Sequence, residues 1–85
     1  MAYKITIKKR AMKALEKINE PYYSKIKTAI YNLADNPRPS GVINLTNRKG
    51  YRIRVGNYRV IYDIDDKISL VDVDDLGHRK DIYKK

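Results

Sequence analysis

The dipeptide Gly56-Asn57 lies between two segments, residues 51–55 and 58–62, in which apolar and polar side chains alternate. Alternation with a period of two is typical of a half-buried β-strand, and a two-residue loop containing glycine is typical of a tight hairpin turn. The sequence therefore predicts a β-hairpin closed at this dipeptide. The predicted register pairs Val55 with Tyr58, Arg54 with Arg59, and Ile53 with Val60.

Side chains on a strand alternate between the two faces of the sheet, so this hairpin has one apolar face and one cationic face. The apolar face is expected in the core, and the other face gathers Arg52, Arg54 and Arg59. Like charges that oppose each other across two strands destabilise a sheet, so selection for folding alone does not explain them. We infer that an anion completes the site, and phosphate fits a cluster of guanidinium groups.

An alternative role for these arginines is a structural network of ion pairs. If Asp65-Asp66 forms the next turn, Asp72 lies opposite Arg59 on the same face, and Asp74 follows two residues further along. One carboxylate does not neutralise three guanidinium groups, which favours the anion site over the network.

The net charge of the chain is +9, and its pI is near 9.8. Most of the excess positive charge lies in residues 1–50, whereas acidic residues cluster between Asp63 and Asp75. A small protein this basic favours a polyanionic partner such as a nucleic acid. The alternative is a charged surface that only keeps the protein in solution.

The chain has 85 residues, and we expect one domain over residues 1–85. It has no cysteine and a single histidine, so neither a disulfide nor a transition-metal site is expected. Phosphate-loop, zinc-protease and calcium-loop motifs are also absent, so any catalysis should need no metal and no cofactor. The lack of a long apolar run and of a signal peptide predicts a soluble, cytoplasmic protein with no membrane partner.

The apolar periodicity predicts an α+β fold in the order β-α-α-β-β-β. An N-terminal strand and a hairpin of two α-helices should pack on a mainly antiparallel, four-stranded sheet, leaving the arginine-bearing face partly open. Residues 42–46 fit either a short strand or an extended link. The predicted elements are a strand at 3–8, helices at 9–18 and 21–34, strands at 51–55, 58–64 and 67–73, a break at Gly77, and a terminal turn or helix at 78–83.

The C-terminal segment Gly77–Tyr83 combines an imidazole, two cations and a phenol. The imidazole of His78 suits proton transfer near neutral pH, and Tyr83 is able to stack on a nucleobase. Arg79 and Lys80 are candidate phosphate contacts. Because this segment follows a strand of the same sheet, we expect it to fold back beside the arginines. The alternative is a surface histidine and a tyrosine that only covers the core.

The hairpin of residues 51–62 and the ending Gly77-His-Arg-Lys-Asp-Ile-Tyr83 together resemble the RelE/ParE superfamily of bacterial and archaeal toxin-antitoxin toxins. The resemblance covers nearly the whole chain. The first segment is similar to the arginine-rich β-hairpin of that superfamily, and the second is similar to its Gly-His-Arg-x-x-x-Tyr ending. Because Arg79 and Tyr83 are retained, the chain resembles RelE more than ParE.

The resemblance implies an endoribonuclease that cuts mRNA in the ribosomal A site. In the family mechanism the ribose 2′-hydroxyl attacks the adjacent phosphate and leaves a 2′,3′-cyclic phosphate and a 5′-hydroxyl. By position, Arg59 matches the arginine that holds the scissile phosphate, Arg79 the one that aids the leaving group, and Tyr83 the tyrosine that orients the substrate base. Arg52 and Arg54 occupy positions that are often basic in RelE toxins.

Two departures from the family pattern affect the chemistry. Arginine stays protonated in proteins, so Arg52 and Arg54 do not replace a lysine that acts as general base. His78 is then the candidate for proton transfer. Alternatively, the ribosome supplies most of the organisation of the reacting groups, and the toxin supplies only charge. The acidic stretch Val71–Asp75 is the second departure, and its carboxylates are expected to lower the affinity of the arginine face for phosphate.

The partner that the resemblance implies is a small antitoxin, whose acidic or amphipathic segment wraps the basic surface and the helices. Two other functions stay open at this point. One is a ParE-like toxin that inhibits DNA gyrase without nuclease chemistry. The other is a weakly active or inactive homologue that mainly binds its antitoxin.

Overall fold

The structure is a computed structural model and describes residues 2–46 and 48–78. In this part of the chain two helices and five strands form an α+β fold, as the sequence predicts, with one strand more than expected. The elements are β1 (Lys4–Ile7), α1 (Lys9–Glu16), α2 (Tyr22–Asn32), β2 (Ile43–Asn44), β3 (Tyr51–Val55), β4 (Tyr58–Asp65) and β5 (Leu70–His78).

The strands form one mixed sheet in the order β1-β5-β4-β3-β2. Strand β1 runs parallel to β5, and the other neighbours are antiparallel. The predicted four-stranded sheet is corrected here, because the short segment left open at 42–46 pairs with β3 over two residues. The parallel pair joins the two ends of the chain, and no local sequence signal specifies such a contact.

The hairpin between β3 and β4 has the predicted register, with Arg54 paired to Arg59 and Ile53 to Val60. Gly56 adopts φ +60°, and a Cβ added to it would lie 2.5 Å from Cε1 of Tyr22 in α2. Glycine accepts this backbone conformation without strain and leaves room for the ring. The turn therefore fixes the register and also packs the hairpin end against the helices.

The predicted turn at Asp65-Asp66 is wrong. Strand β4 continues to Asp65, which pairs with Leu70 across a loop of residues 66–69. The carboxylate of Asp65 accepts a hydrogen bond from the backbone N–H of Lys67 (3.1 Å), which closes the first part of this longer loop. The register shifts in consequence: Asp72 pairs with Asp63 and does not lie opposite Arg59.

Strand β5 also contains a β-bulge. Val73 pairs with Tyr62 and Asp75 pairs with Ile61, so Asp74 is an extra residue in β5. Val73 and Leu76 are buried in the core, and the bulge places Asp74 and Asp75 on the same side of the strand between them. We call this side, opposite the helices, the outer face of the sheet.

The expected break at Gly77 is also wrong. Gly77 lies within β5 opposite Arg59, and His78 ends the strand opposite Tyr58. A glycine without a side chain at this position leaves space beside Arg59 on the outer face. The rest of the predicted terminal turn, residues 79–83, lies outside the described residues.

The two helices pack on the inner face of the sheet and form the core with it. Ala11 and Leu15 of α1 and Ile26 and Ile30 of α2 are buried, in agreement with the predicted helical periodicity. The strand side chains that complete this core are Ile53, Val60, Tyr62, Ile64, Val71, Val73 and Leu76.

Tyr62 places a phenol in the middle of this core. Its hydroxyl donates a 2.7 Å hydrogen bond to the backbone carbonyl of Pro37, in the loop after α2. Burial raises the pKa of Tyr62 to about 12, so the hydroxyl keeps its proton over the ordinary pH range. The bond fastens the loop after α2 to the central strand.

Tyr62→Phe removes this buried donor and leaves the Pro37 carbonyl without its partner. We expect the free energy of unfolding to fall by about 1–2 kcal/mol, measured by urea denaturation. Tyr31→Phe is the matched control, because Tyr31 is 51 % exposed, and it should change stability by less than about 0.5 kcal/mol. Equal stability of the two variants would contradict a stabilising role for the bond.

Candidate nucleic-acid interface

The three hairpin arginines lie on the outer face of the sheet. Arg54 and Arg59 are directly opposed, and Arg52 is one step along β3, opposite Ile61. Arg54 is exposed, Arg52 is half-buried, and Arg59 is only 5 % exposed. The structure thus confirms that the three side chains share a face. The exposures differ, because Arg59 is buried among its neighbours whereas the side chain of Arg54 extends into solvent.

The carboxylates of the acidic stretch contact a second group of cations on the outer face. We call this group the Asp74 clamp; it consists of Lys8, Arg10 and Arg48 around Asp72 and Asp74. Arg10 Nη2 lies 2.9 Å from Asp74 Oδ1, and Arg48 Nη2 lies 2.5 Å from Asp74 Oδ2. Lys8 Nζ lies 2.5 Å from Asp72 Oδ2 and 3.8 Å from Asp74 Oδ1.

The bulge and the shortness of β1 explain how the clamp forms. Strand β1 pairs with β5 only as far as Val73, so the edge of β5 beyond that residue is not covered by β1. Arg10, in the first turn of α1, reaches this edge, and its Nε donates a 3.0 Å hydrogen bond to the backbone carbonyl of Asp74. The clamp therefore satisfies a main-chain acceptor at the bulge as well as a carboxylate.

The ionisation of Asp74 is governed by two opposed effects. Burial would raise the pKa of this carboxyl, but hydrogen bonds from Arg48 and Arg10 outweigh the burial and hold the pKa below its usual value. In the same way, the hydrogen bond with Asp72 raises the pKa of Lys8. At neutral pH the clamp is thus a set of charged partners.

His78 is not brought to the arginine face. It pairs with Tyr58, whose side chain packs against the core, and the two rings meet edge to face with centroids 5.6 Å apart. Because paired residues share a face, the imidazole lies on the side of the sheet opposite Arg59. The other C-terminal candidates, Arg79, Lys80 and Tyr83, lie outside the described residues.

Lys8, Arg10 and Arg48 were not identified from the sequence. Two signals point to the clamp in retrospect, and neither of them identifies Arg48. The run Lys8-Lys9-Arg10 puts cations at the start of a helix, where the helix dipole disfavours positive charge. The adjacent acids Asp74-Asp75 interrupt an alternating strand, which is the pattern that a β-bulge accommodates.

A groove of about 570 Å³ runs between the end of α2 and the edge of β3. Strand β2 pairs only with Tyr51 and Arg52, so the edge of β3 from Ile53 onward is not covered by β2. The groove combines apolar walls with two cations. Its lining includes Ala29, Leu33, Ile43 and Ile53 together with Arg52 and Arg54.

Arg38 fixes the loop that forms one end of this groove. Its Nη2 lies 2.9 Å from Asp66 Oδ2 and donates a 3.2 Å hydrogen bond to the hydroxyl of Tyr51. The guanidinium carbon also lies 5.2 Å from the centroid of the Tyr51 ring. Tyr3 completes the contact by donating a 2.7 Å hydrogen bond to Asp66 Oδ1.

No group of three or more His, Cys, Asp or Glu side chains in the described residues is arranged to hold a metal ion. A membrane-crossing helix would need to be longer and more apolar than any helix that the described residues form.

An αα-hairpin packed on a mixed, five-stranded sheet is the fold of solved RelE toxins. The sequence model of the family described as ParE toxin of type II toxin-antitoxin system, parDE, matches residues 5–83. The chain belongs to this family, within the RelE/ParE superfamily, and is a toxin of a type II toxin-antitoxin system.

Similar proteins agree with this assignment. A protein of Methanocaldococcus jannaschii provisionally named toxin RelE1 is 31 % identical over 99 % of this chain and 98 % of its own length. The RelE–RelB complex of Pyrococcus horikoshii OT3 matches with a TM-score of 0.83, at 30 % identity, over 95 % of this chain and 99 % of that one. The toxin-antitoxin complex RelBE2 of Mycobacterium tuberculosis shares the fold, with a TM-score of 0.81 at 22 % identity, over 93 % of this chain and 100 % of that one.

The lowered pKa of Asp74 makes stability depend on pH. The folded protein binds fewer protons than the unfolded chain near pH 4, so the contribution of Asp74 is present above the unfolded pKa of about 3.9 and is lost as the pH falls through the folded pKa. We expect urea unfolding midpoints to decline from about pH 5 downward, and to decline less in Asp74→Asn.

Asp35→Asn is the control for this pH series. Asp35 is exposed and takes part in none of the ion pairs among the described residues, so its variant should decline like the wild type. A decline in Asp74→Asn as steep as that of the wild type would show that the clamp carboxylate is not responsible.

Proposed function

We propose that this toxin is a ribosome-dependent endoribonuclease that cleaves mRNA in the cytoplasm. The ribose 2′-hydroxyl attacks the adjacent phosphate, the bond to the 5′ oxygen breaks, and the products carry a 2′,3′-cyclic phosphate and a 5′-hydroxyl. The observation that carries the proposal is the gathering of Arg52, Arg54 and Arg59 on one face of the hairpin. Sequence similarity to RelE toxins over nearly the whole chain supports it.

The arginines divide the work according to their exposure. Arg59 is almost buried, so its guanidinium is held in place and suits the grip on the scissile phosphate. Arg54 is exposed directly opposite and stabilises the extra negative charge of the pentacoordinate phosphorane. Arg52 adds a further contact to the RNA backbone. All three stay protonated, so they stabilise charge and do not accept the 2′-hydroxyl proton.

Proton transfer is therefore assigned outside the hairpin. The imidazole of His78 lies against Tyr58 on the other side of the sheet, so the geometry gives no support to His78 as the base. We propose that the bound ribosome organises the attacking hydroxyl. By resemblance, Arg79 aids the leaving group and Tyr83 orients the base. Lys80 is proposed as a further phosphate contact because it is a cation in the same segment.

A second candidate function is inhibition of DNA gyrase. It is favoured by the match to a family described by the name ParE. The same outer face would then bind a protein or DNA without cleaving RNA. Purified gyrase distinguishes the two functions, because only the gyrase inhibitor lowers the rate of supercoiling.

Arg59→Ala should abolish cuts in translated mRNA. Loss of one preplaced charge contact to a transition state lowers a rate by about 10²–10³-fold, so cleavage by the variant should fall below detection in primer extension. Arg79→Ala is expected to behave likewise. The control is Lys13→Ala, which removes one positive charge from the exposed side of α1 and should cut at the wild-type rate.

Two results would contradict the nuclease. One is cleavage that persists in Arg59→Ala. The other is wild-type protein that slows supercoiling by gyrase and leaves translated mRNA intact, which would establish the gyrase function instead. Wild-type protein that does neither but binds an antitoxin would identify an inactive homologue.

We also propose a cognate antitoxin as partner. The Pyrococcus horikoshii relative was solved as a RelE–RelB complex. The groove between α2 and β3 suits a segment with apolar and acidic side chains, since apolar walls lie beside Arg52 and Arg54. The uncovered edge of β3 also offers backbone groups for an added strand.

Ile43→Asp should weaken antitoxin binding by about tenfold or more, because it places a charge in the apolar wall of the groove. Ile68→Asp is the matched control, since Ile68 is exposed in the loop after β4 and does not line the groove. Binding to the antitoxin encoded beside the toxin gene is measured by calorimetry.

The affinity of the toxin for the antitoxin should also fall with added salt, because salt screens the charges at the interface. Equal losses in both variants, or an affinity unchanged by salt, would refute this interface.

A further inference from the structure

The outer face carries two groups of cations, and the proposed mechanism uses only one. The Asp74 clamp draws its cations from three places along the chain. Lys8 precedes α1, Arg10 lies in the first turn of α1, and Arg48 lies in the segment between β2 and β3. All three converge on the carboxylates of Asp72 and Asp74.

Exposure within the clamp is uneven. The side chain of Asp74 is 11 % exposed, whereas those of Arg10 and Arg48 are 57 % and 53 % exposed. The carboxylate thus lies inside and the guanidinium groups lie toward solvent. Each guanidinium has several N–H donors, and the contacts with Asp74 use only part of them. Because about half of each side chain is exposed, a ligand can reach guanidinium groups that the ion pairs already restrain.

The clamp also concentrates charge where folding does not favour it. The first turn of α1 contains no acidic residue and follows directly on Lys8, with Lys9 and Arg10 inside it. A positive charge near a helix N-terminus is unfavourable, because it lies at the positive end of the helix dipole. Opposed Arg54 and Arg59 show the same feature on the hairpin. At the clamp, Asp72 and Asp74 offset part of this repulsion, and a bound polyanion would stabilise the cations of both groups further.

The clamp and the hairpin arginines are neighbours on one face. Asp75 follows the bulge directly, and Gly77, opposite Arg59, lies two residues further on, which is about 7 Å along the strand. Arg48 also lies in the segment that leads into β3, the strand of Arg52 and Arg54. Both features place the two groups side by side.

We propose that the Asp74 clamp is a second phosphate-binding subsite, which holds the RNA backbone beside the phosphate gripped by the hairpin arginines. Arg10 and Arg48 contact the backbone, and Asp74 is a positioning residue that orients both guanidinium groups. The inference rests on the proposed function, because that function makes RNA the polyanion.

An acidic peptide is the other polyanion to consider. A protein segment needs apolar anchors in addition to charge, whereas an RNA backbone is bound by charge and hydrogen bonds alone. The exposed large apolar side chains of the described residues lie elsewhere: Met12 and Tyr31 flank a hollow between the helices, Ile43 lines the groove, and Ile68 lies in the loop after β4. This distribution favours RNA at the clamp.

Fluorescence anisotropy with a short, non-cleavable 2′-O-methyl RNA tests the subsite. Arg10→Ala and Arg48→Ala should each weaken binding by about three- to tenfold and reduce the slope of log affinity against log salt by about 0.7 per lost phosphate contact. Lys17→Ala, at the other end of α1, removes the same charge away from the clamp and should change affinity by less than about twofold.

Asp74→Asn separates positioning from charge. It raises the net charge by one unit, so a surface that acts only through charge binds RNA more tightly. Positioning predicts the opposite, a loss of about threefold or more. Arg48→Lys keeps the charge, loses the planar guanidinium and should also weaken binding. Thermal unfolding of each variant ensures that affinities are compared between folded proteins.

Tighter or unchanged RNA binding by Asp74→Asn would overturn the positioning role. A poly-glutamate probe that loses as much affinity as RNA in Arg48→Ala would assign the clamp to an acidic protein segment and overturn the RNA subsite. Cleavage of translated mRNA by the wild type is scored separately. If the wild-type protein cuts mRNA and the clamp variants bind RNA with full affinity, only the subsite is refuted. If the wild-type protein does not cut mRNA but its RNA binding depends on the clamp, only the nuclease is refuted.

Discussion

Strand β4 is paired on both sides, with β3 at one edge and β5 at the other. Its register therefore determines which side chains meet on the outer face. Pairing with β3 brings Arg54 against Arg59, and pairing with β5 brings Gly77 beside Arg59. The inner-facing side chains of β4, from Val60 to Ile64, are buried under the helices, and a shift by one residue would turn them toward solvent. Core packing thus fixes the positions of the three hairpin arginines, Arg52, Arg54 and Arg59.

The hairpin was predictable because its information is local. Gly56-Asn57 sets the turn, and alternation sets the faces, so the pairing of Arg54 with Arg59 followed from a short segment. The β4–β5 register was not predictable in the same way, because two other features determine it. One is a loop longer than the Asp65-Asp66 pattern suggests, and the other is the bulge at Asp74. The position of His78 depends on that same register. Sequence reasoning placed the imidazole beside the arginines, and the shifted pairing carries it to the inner face.

The carboxylates of the acidic stretch were predicted to weaken the hold of the arginine face on phosphate, and this stays a prediction. Asp75 lies on the outer face, two residues before the Gly77 that pairs with Arg59. The shifted register moves Asp72 away from Arg59, and Asp72 and Asp74 are engaged by cations from α1 and from the segment before β3. The clamp brings three cations to two carboxylates, so the clamp itself keeps an excess of positive charge. A cluster of acids in the sequence is therefore compatible with polyanion binding when other elements bring cations to it.

Two partners with different chemistry can use different parts of this small surface. The groove offers apolar walls and suits a protein segment, whereas the clamp offers charge and hydrogen-bond donors and suits a nucleic acid backbone. Arg52 and Arg54 belong to both, since they line the groove and share the outer face with Arg59. If an antitoxin segment occupies the groove as proposed, it contacts Arg52 and Arg54 and competes with RNA for these two arginines.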